Sequence, residues 1–168
     1  MRALTVVVAA AAAVTSACAS APFPEELTQS VNRSIGVEQL RADPTGSSAR
    51  VILGGEILST LPKTGSTEIE ILSRPLDRGD VPERTDVSAG RFLARTPEFL
   101  DPAIYARGRR ITVLGTAAGS DERMVGDRPY TYPVVDALRI KLWPREGPWV
   151  GGEYPPVPLD TPLVPVPR

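Results

Sequence analysis

Histidine is absent from this chain, cysteine occurs once, and lysine appears only at positions 63 and 141. The first absence removes the usual general base, the commonest metal ligand and the side chain that titrates near neutrality. A lone cysteine excludes an intramolecular disulfide and any thiolate metal cluster. Excess positive charge is missing too, with 19 basic residues against 20 acidic ones. A chain near neutrality has no general electrostatic drive toward phosphate backbones, so no nucleic-acid partner is expected. Arginines do gather between Arg74 and Arg110, but acids are interleaved among them. That pattern describes a solvated surface of mixed sign. At 168 residues there is room for one domain and little more.

What is present begins at the amino terminus. Arg2 precedes an apolar stretch that runs to Val14, followed by Thr15-Ser16-Ala17 and then Cys18. A basic start, a short apolar centre and small residues before a cut site make an export signal. About a dozen apolar residues at ~1.5 Å each fall short of the ~30 Å hydrocarbon core, which disfavours a permanent transmembrane helix. Small residues followed by cysteine fit lipoprotein processing, with residues 1–17 removed and Cys18 carrying a diacylglyceryl group and an amide-linked acyl chain. Three chains at ~0.8 kcal/mol per buried methylene make an essentially permanent anchor. The alternative is a plain signal cut after Ala17, which would leave a free thiol in an exported protein. Ala19 follows where an aspartate would retain a lipoprotein in the inner membrane, favouring transfer to the outer membrane of a Gram-negative cell. Residues 18–36 read as a tether, with a proline at 22 and another at 24.

Short β-type runs follow. Val51–Leu58 is apolar with Gly54-Gly55 inside it, where a bulge or bend is expected. Thr67–Leu72 alternates, with Ile69 and Ile71 on one face and Glu68 and Glu70 on the other. Gly90–Ala94 centres on Phe92. Arg110–Thr116 sends Ile111 and Val113 to one face, and Val134–Trp143 does the same with Leu138, Ile140 and Leu142. Helical signals are confined to Val37–Arg41 and to a turn at Ala103–Ala106, where Asp101 serves as N-cap and Pro102 as first helical residue. Asp43-Pro44 and Asp101-Pro102 form a faint internal echo, each reading as a capped turn that feeds a strand ending at glycine. Five short strands with so little helix predict an all-β fold, a small five-stranded OB-like barrel, with a small β-sandwich as the alternative. The domain is expected over 37–144. Eight prolines in the last 25 residues and no apolar periodicity mark 145–168 as a proline-rich, disordered tail.

Several of these segments are similar to the Slp family of outer-membrane lipoproteins. The resemblance rests on Gly54-Gly55-Glu56-Ile57, Thr67-Glu-Ile-Glu-Ile-Leu-Ser-Arg-Pro-Leu-Asp77 and Gly90-Arg91-Phe92-Leu93-Ala94. It continues through Phe99-Leu100-Asp101-Pro102 with Tyr105, Gly108-Arg109-Arg110-Ile-Thr-Val-Leu-Gly115, Gly126, Tyr130-Thr-Tyr-Pro-Val-Val135 and Leu142-Trp143-Pro144. It implies a lipid-anchored protein of the outer membrane, associated with starvation or stress, with no reaction established for the family. Cys18 takes the place of the lipid-bearing cysteine, and there are no catalytic residues to carry over.

Candidate sites are few. Arg91, Asp101, Arg109, Arg110, Tyr130 and Tyr132 are placed to line a groove on a barrel face, the surface on which OB-type domains hold ligands. The plainer reading makes Asp101 a turn cap, the arginines strand flanks and the tyrosines cover for the barrel edge. Asp77 and Asp80 stand as a possible carboxylate pair, but Pro75, Gly79 and Pro82 around them point to turn chemistry. The serines have no adjacent base, and Gly54-Gly55 lacks the lysine and helix start of a phosphate loop. No cofactor and no metal are expected. The favoured function is a non-enzymatic structural or binding module of the cell envelope. It would be held at the periplasmic face of the outer membrane by its lipid anchor and engage an envelope protein partner. A ligand-carrying periplasmic barrel and a carboxylate-dependent periplasmic hydrolase are the alternatives.

Overall fold

A computed structural model describes residues 21–43 and 48–145. The export signal, Cys18 and the proline-rich segment from 146 onward lie outside the described residues. Two short helices, α1 (Glu25–Thr28) and α2 (Val37–Ala42), precede five strands. These are β1 (Arg50–Lys63), β2 (Ser66–Ser73), β3 (Arg91–Thr96), β4 (Arg110–Val125) and β5 (Arg128–Leu142). The strands close into a barrel in the order β1-β2-β3-β5-β4, with β3 and β5 parallel and every other pair antiparallel. Closure of the five-stranded sheet decides for the OB-type barrel over the sandwich.

Alternation along each strand fills the interior. Val51, Leu53 and Ile57 of β1 meet Ile69 and Ile71 of β2, Phe92 and Ala94 of β3, Ile111 and Val113 of β4, and Val135 of β5. Phe92, Ile69, Ile71 and Val113 are fully shielded from water. One end of the barrel is closed by α2, whose Val37 and Leu40 join this core. At the other end Leu100 enters the core, and its backbone N–H donates to Thr67 Oγ1 at 3.1 Å.

Two expectations about strand ends change. The strands of the faint echo do not stop at glycine: β1 passes through Gly54-Gly55 and β4 through Gly115. These glycines are close-approach points, because a methyl at position 55 would collide with the Leu72 carbonyl oxygen. Asp43 is the C-cap of α2, so the first echo unit is not a capped turn of the second kind. The second change concerns length. β4 and β5 extend well beyond the expected Arg110–Thr116 and Val134–Trp143, and form a long hairpin turning at Gly126, whose φ is +58°. Ala117 is the last residue of β4 in the core, and residues 118–125 carry no apolar alternation because this arm projects past it.

Within β5, Leu114 pairs with Arg139 and Gly115 with Ala137, so Leu138 is the extra residue of a bulge. One inserted residue reverses the facing of those around it. Ile140 and Leu142 pack on the core as expected, but Leu138 is turned outward and Ala137 takes the inward position.

The segment read as a tether is, in its described part, packed on the barrel. Phe23 is buried against Ile52 and Leu114, with Leu27, Val31 and Leu76 around it. The Asn32 N–H donates to the Arg50 carbonyl at 2.9 Å.

Candidate functional site

The structure brings three of the six groove candidates together and separates the others from them. Arg91, Tyr130 and Tyr132 come together on the outer face of β2 and β3, over which the β4–β5 hairpin folds. The Tyr130 hydroxyl accepts from the Arg91 backbone N–H at 2.8 Å and from Arg41 Nη1 at 2.9 Å. Arg91 Nη1 and the Tyr132 hydroxyl both donate to Glu70 Oε1, each at 2.8 Å. The two tyrosine rings meet edge to face with centroids 4.8 Å apart, and Tyr132 forms a small apolar cluster with Leu93 and Val134, against which Tyr130 packs. Gly90 makes the approach possible. Its φ of +103° suits glycine, and a side chain there would run into the Tyr130 hydroxyl and Arg41.

Beside this cluster Glu68, only 3% exposed, is clamped from three directions. Lys63 Nζ and Arg95 Nε reach its Oε2 at 3.1 Å each, and Arg123 Nη1 reaches Oε1 at 2.8 Å. Arg95 and Arg123 also share Asp121 Oδ2, at 2.9 and 2.8 Å. Burial by itself would push the Glu68 carboxyl up. The hydrogen bonds from Arg123, Lys63 and Arg95, with Arg123's charge, outweigh it and bring the pKa down to about 2. Glu70 is likewise lowered, because hydrogen bonds from Tyr132 and Arg91 overcome its desolvation. Tyr132 is raised by burial and by the Glu70 carboxylate it donates to. Both carboxylates are therefore ionised and paired at neutral pH, so neither is poised as a general acid.

Sequence reasoning put Glu68 and Glu70 on the solvent side of a half-buried strand and left them out of the candidate set. The alternation was right, but the hairpin arm covers that outer face. A signal existed: two basic side chains four apart on β3, Arg91 and Arg95, stand opposite two acids on β2, with Glu70 paired to Leu93 and Glu68 to Arg95.

The other candidates lie elsewhere. Asp101 Oδ1 accepts from the Ala103 N–H at 2.8 Å, the capping role expected of it. Arg109 donates from Nη1 to the Ile104 carbonyl at 3.0 Å and from Nη2 to the Trp143 carbonyl at 2.7 Å, while its Nε is buried with no partner. Arg110 Nη1 donates to the Pro82 carbonyl at 2.9 Å. With Arg84, Arg107 and Arg145 they line an open cleft of about 410 Å³, in which the lining acid among the described residues is Glu56. Glu56 is also 3.7 Å from Arg74. Burial lowers the Arg110 pKa and the positive charge of Arg84 lowers it further, while the carboxylate of Asp77 opposes both.

Asp77 and Asp80 border a separate cleft of about 430 Å³. Asp77 Oδ1 accepts from the Gly79 and Val81 N–H groups at 2.8 and 2.9 Å, as turn chemistry requires. Asp80 is more than a turn residue. It is buried, has a φ of +58°, and holds Arg33 through both oxygens at 2.6 and 3.1 Å. Its carbonyl also accepts from the buried Thr112 hydroxyl at 2.7 Å. This ion pair fastens the N-terminal segment to the barrel. Among the described residues no group of three or more acids or cysteines is gathered as a metal site would require.

Comparison with known proteins agrees with the segments singled out above. The sequence model of the outer membrane lipoprotein Slp family matches residues 15–165. A protein of Escherichia coli K12 described as uncharacterized lipoprotein YeaY is 32% identical over 141 residues, 84% of this chain and 67% of that protein. Outer membrane protein Slp of the same strain is 34% identical over 98 residues, 58% of this chain and 50% of its own. A Haemophilus influenzae protein matches at 35% over 94 residues, so the chain spans about half the length of these last two. Among solved structures, a small single-stranded DNA-binding protein from Streptomyces coelicolor aligns at 15% identity, covering 58% of this chain and 95% of its own, with a TM-score of 0.37. Matched by the family model over nearly its whole length, the chain belongs to the Slp family of outer membrane lipoproteins.

Proposed function

We propose that this protein is a non-enzymatic module of the cell envelope, anchored in the outer membrane through lipid on Cys18, with its barrel on the periplasmic side. The observation that carries the reading is the family match beginning at residue 15, which takes in Ser16-Ala17-Cys18. The barrel supports it in two ways. Its interior is occupied by Ile69, Ile71, Phe92 and Val113, with Ile140 packed against them, which speaks against a ligand-carrying barrel. The acids considered for hydrolysis have structural duties, Asp77 in a turn, Asp80 on Arg33 and Asp101 at a cap. The outer face of β2 and β3, where OB-type domains hold oligonucleotides, carries Glu68 and Glu70 bound to their own arginines. Those cations are spent on the protein's own carboxylates, and an envelope protein is the partner class we favour. We also assign the protein to the starvation or stress response of its family.

Intact mass measurement on protein extracted from outer membranes tests the anchor, with a Cys18→Ser variant alongside. Wild type starting at Cys18 with three acyl chains, and release of the variant into the soluble periplasmic fraction, are the expected results. An unmodified wild-type mass would overturn the reading. Protein levels followed into nutrient starvation test the stress assignment, for which a rise is expected.

A further inference from the structure

We infer that the cleft between the N-terminal segment and the loop after β2 is a docking site for an extended segment of a partner protein, which pairs as a short strand with Ile52 and Gly54 of β1. The inference deepens the reading above, in which an envelope protein is the partner. Ring closure does not pair β1 on both sides along its whole length. β4 runs beside it from Arg50 to Glu56 without a slip, whereas the pairing with β2 begins only at Gly55. Bonds at the two ends of the β1–β4 ladder fix the facing of the residues between. The Ala117 N–H donates to the Ala49 carbonyl and the Ile57 N–H to the Arg109 carbonyl, each at 2.9 Å, so the odd-numbered residues of this stretch bond to β4. Ile52 and Gly54 therefore turn their N–H and carbonyl groups away from β4.

Two bonds occupy that second edge. The Asn32 N–H donates to the Arg50 carbonyl and the Arg74 N–H to the Gly54 carbonyl, both at 2.9 Å. Between them the Ile52 N–H, the Ile52 carbonyl and the Gly54 N–H have no backbone partner among the described residues. The same stretch lines the cleft of about 430 Å³ that Asp77 and Asp80 border. Gly54 has no side chain, so what it contributes to that lining is main chain. Unpaired ladder groups are a template for another strand. Three features make that strand a peptide segment of uncharged character. The first is the pattern of the free groups, which alternate along one edge as a peptide backbone does and a compact small ligand does not. The second is the walls. Ile35 stands on one side, with Leu76 and the 64% exposed Val87 on the other, giving the side chains of an added strand apolar contacts. The third is charge. Arg33 is held by Asp80, and Arg74 lies near Glu56 and donates to the Val87 carbonyl, so the basic groups bordering the cleft are engaged within the protein.

The test uses the full mature chain with Cys18→Ser, which separates the cleft from the anchor. Residue-resolved amide hydrogen exchange on the free protein should find Ile52 and Gly54 exchanging about ten-fold or more faster than Val51 and Leu53. Slow exchange at Ile52 and Gly54 would overturn the inference. It would give the edge to a segment of the same chain or, if protection grows with protein concentration, to a second copy. Random linear peptides displayed on phage are then selected on this protein, and the strongest binder is synthesised. It is expected to slow exchange at Ile52 and Gly54. N-methylation of the peptide amide that pairs with Ile52 should weaken it by about ten-fold, with little effect from the next amide along. Val87→Asp should weaken it by a similar factor, because the new charge must be buried under the peptide. Met124→Asp, beside the remote hairpin turn, should leave it unchanged, and circular dichroism checks that both variants fold. Selection of no peptide sensitive to Val87→Asp, or indifference to N-methylation at every position, would overturn the inference. The mass measurement on wild type reports on Cys18 independently, so failure of the envelope reading and failure of the docking site give different results.

Discussion

Two charged regions of this barrel are built from the same residue types and put their arginines to different uses. On the outer face of β2 and β3, Lys63, Arg95 and Arg123 close on Glu68, and Arg91 and Tyr132 close on Glu70, beneath the arm of the β4–β5 hairpin. At the β4 entrance, five arginines share a cleft with Glu56. The first region pairs each of its carboxylates with cations inside the fold and so serves stability. The second spends its guanidinium groups on backbone, Arg109 on the Ile104 and Trp143 carbonyls and Arg110 on that of Pro82. The difference teaches that arginine count says little about function until each carboxylate is assigned to its partner.

The sharpest way to break this contrast is Glu68→Ala. Removing the acid strands three cations around a buried position, and a loss of about 2–3 kcal/mol is expected, because the cations themselves are partly exposed. Denaturant titration measures it. Acid should achieve a similar loss without mutation. The folded pKa of Glu68, about 2, lies below its ordinary 4.5, so the clamp contributes fully above about pH 4.5 and is lost as pH falls toward 2. Thermal unfolding between those values should fall less steeply in Glu68→Gln than in wild type.

Gly90→Ala is expected to cost about 2 kcal/mol, from its positive φ and from displacing Tyr130 and Arg41. Tyr132→Phe removes one donor to Glu70 while Arg91 stays, so a loss of about 1 kcal/mol is expected by denaturant titration. At the small end, Arg107→Gln in the cleft should change stability by no more than about 0.5 kcal/mol by denaturant titration. A clear destabilisation there would remove the contrast.

Much of the fold was legible. Alternation at Ile69 and Ile71, at Ile111 and Val113, and at Phe92 gave the strands and their inward faces, because a pleated strand has a period of two whatever surrounds it. The site was legible only in fragments. Arg91, Tyr130 and Tyr132 were picked out together and do meet, whereas Asp101, Arg109 and Arg110 belong elsewhere. Arg33 and Asp80 are 47 residues apart, and no local pattern announces such a pair. Leu138 was misplaced because a bulge adds a residue that periodicity cannot count.

By itself, then, the sequence determined the strand pattern, the lack of any histidine-based chemistry and the small-residue run into Cys18, all of which are local properties of residue type and spacing. Only the tertiary structure decided that Glu68 is buried, that the 21–36 segment is packed, and that five arginines face one cleft. Those outcomes depend on which distant segments the closed barrel brings side by side, and on a hairpin arm that folds across a face the strand pattern marks as exposed.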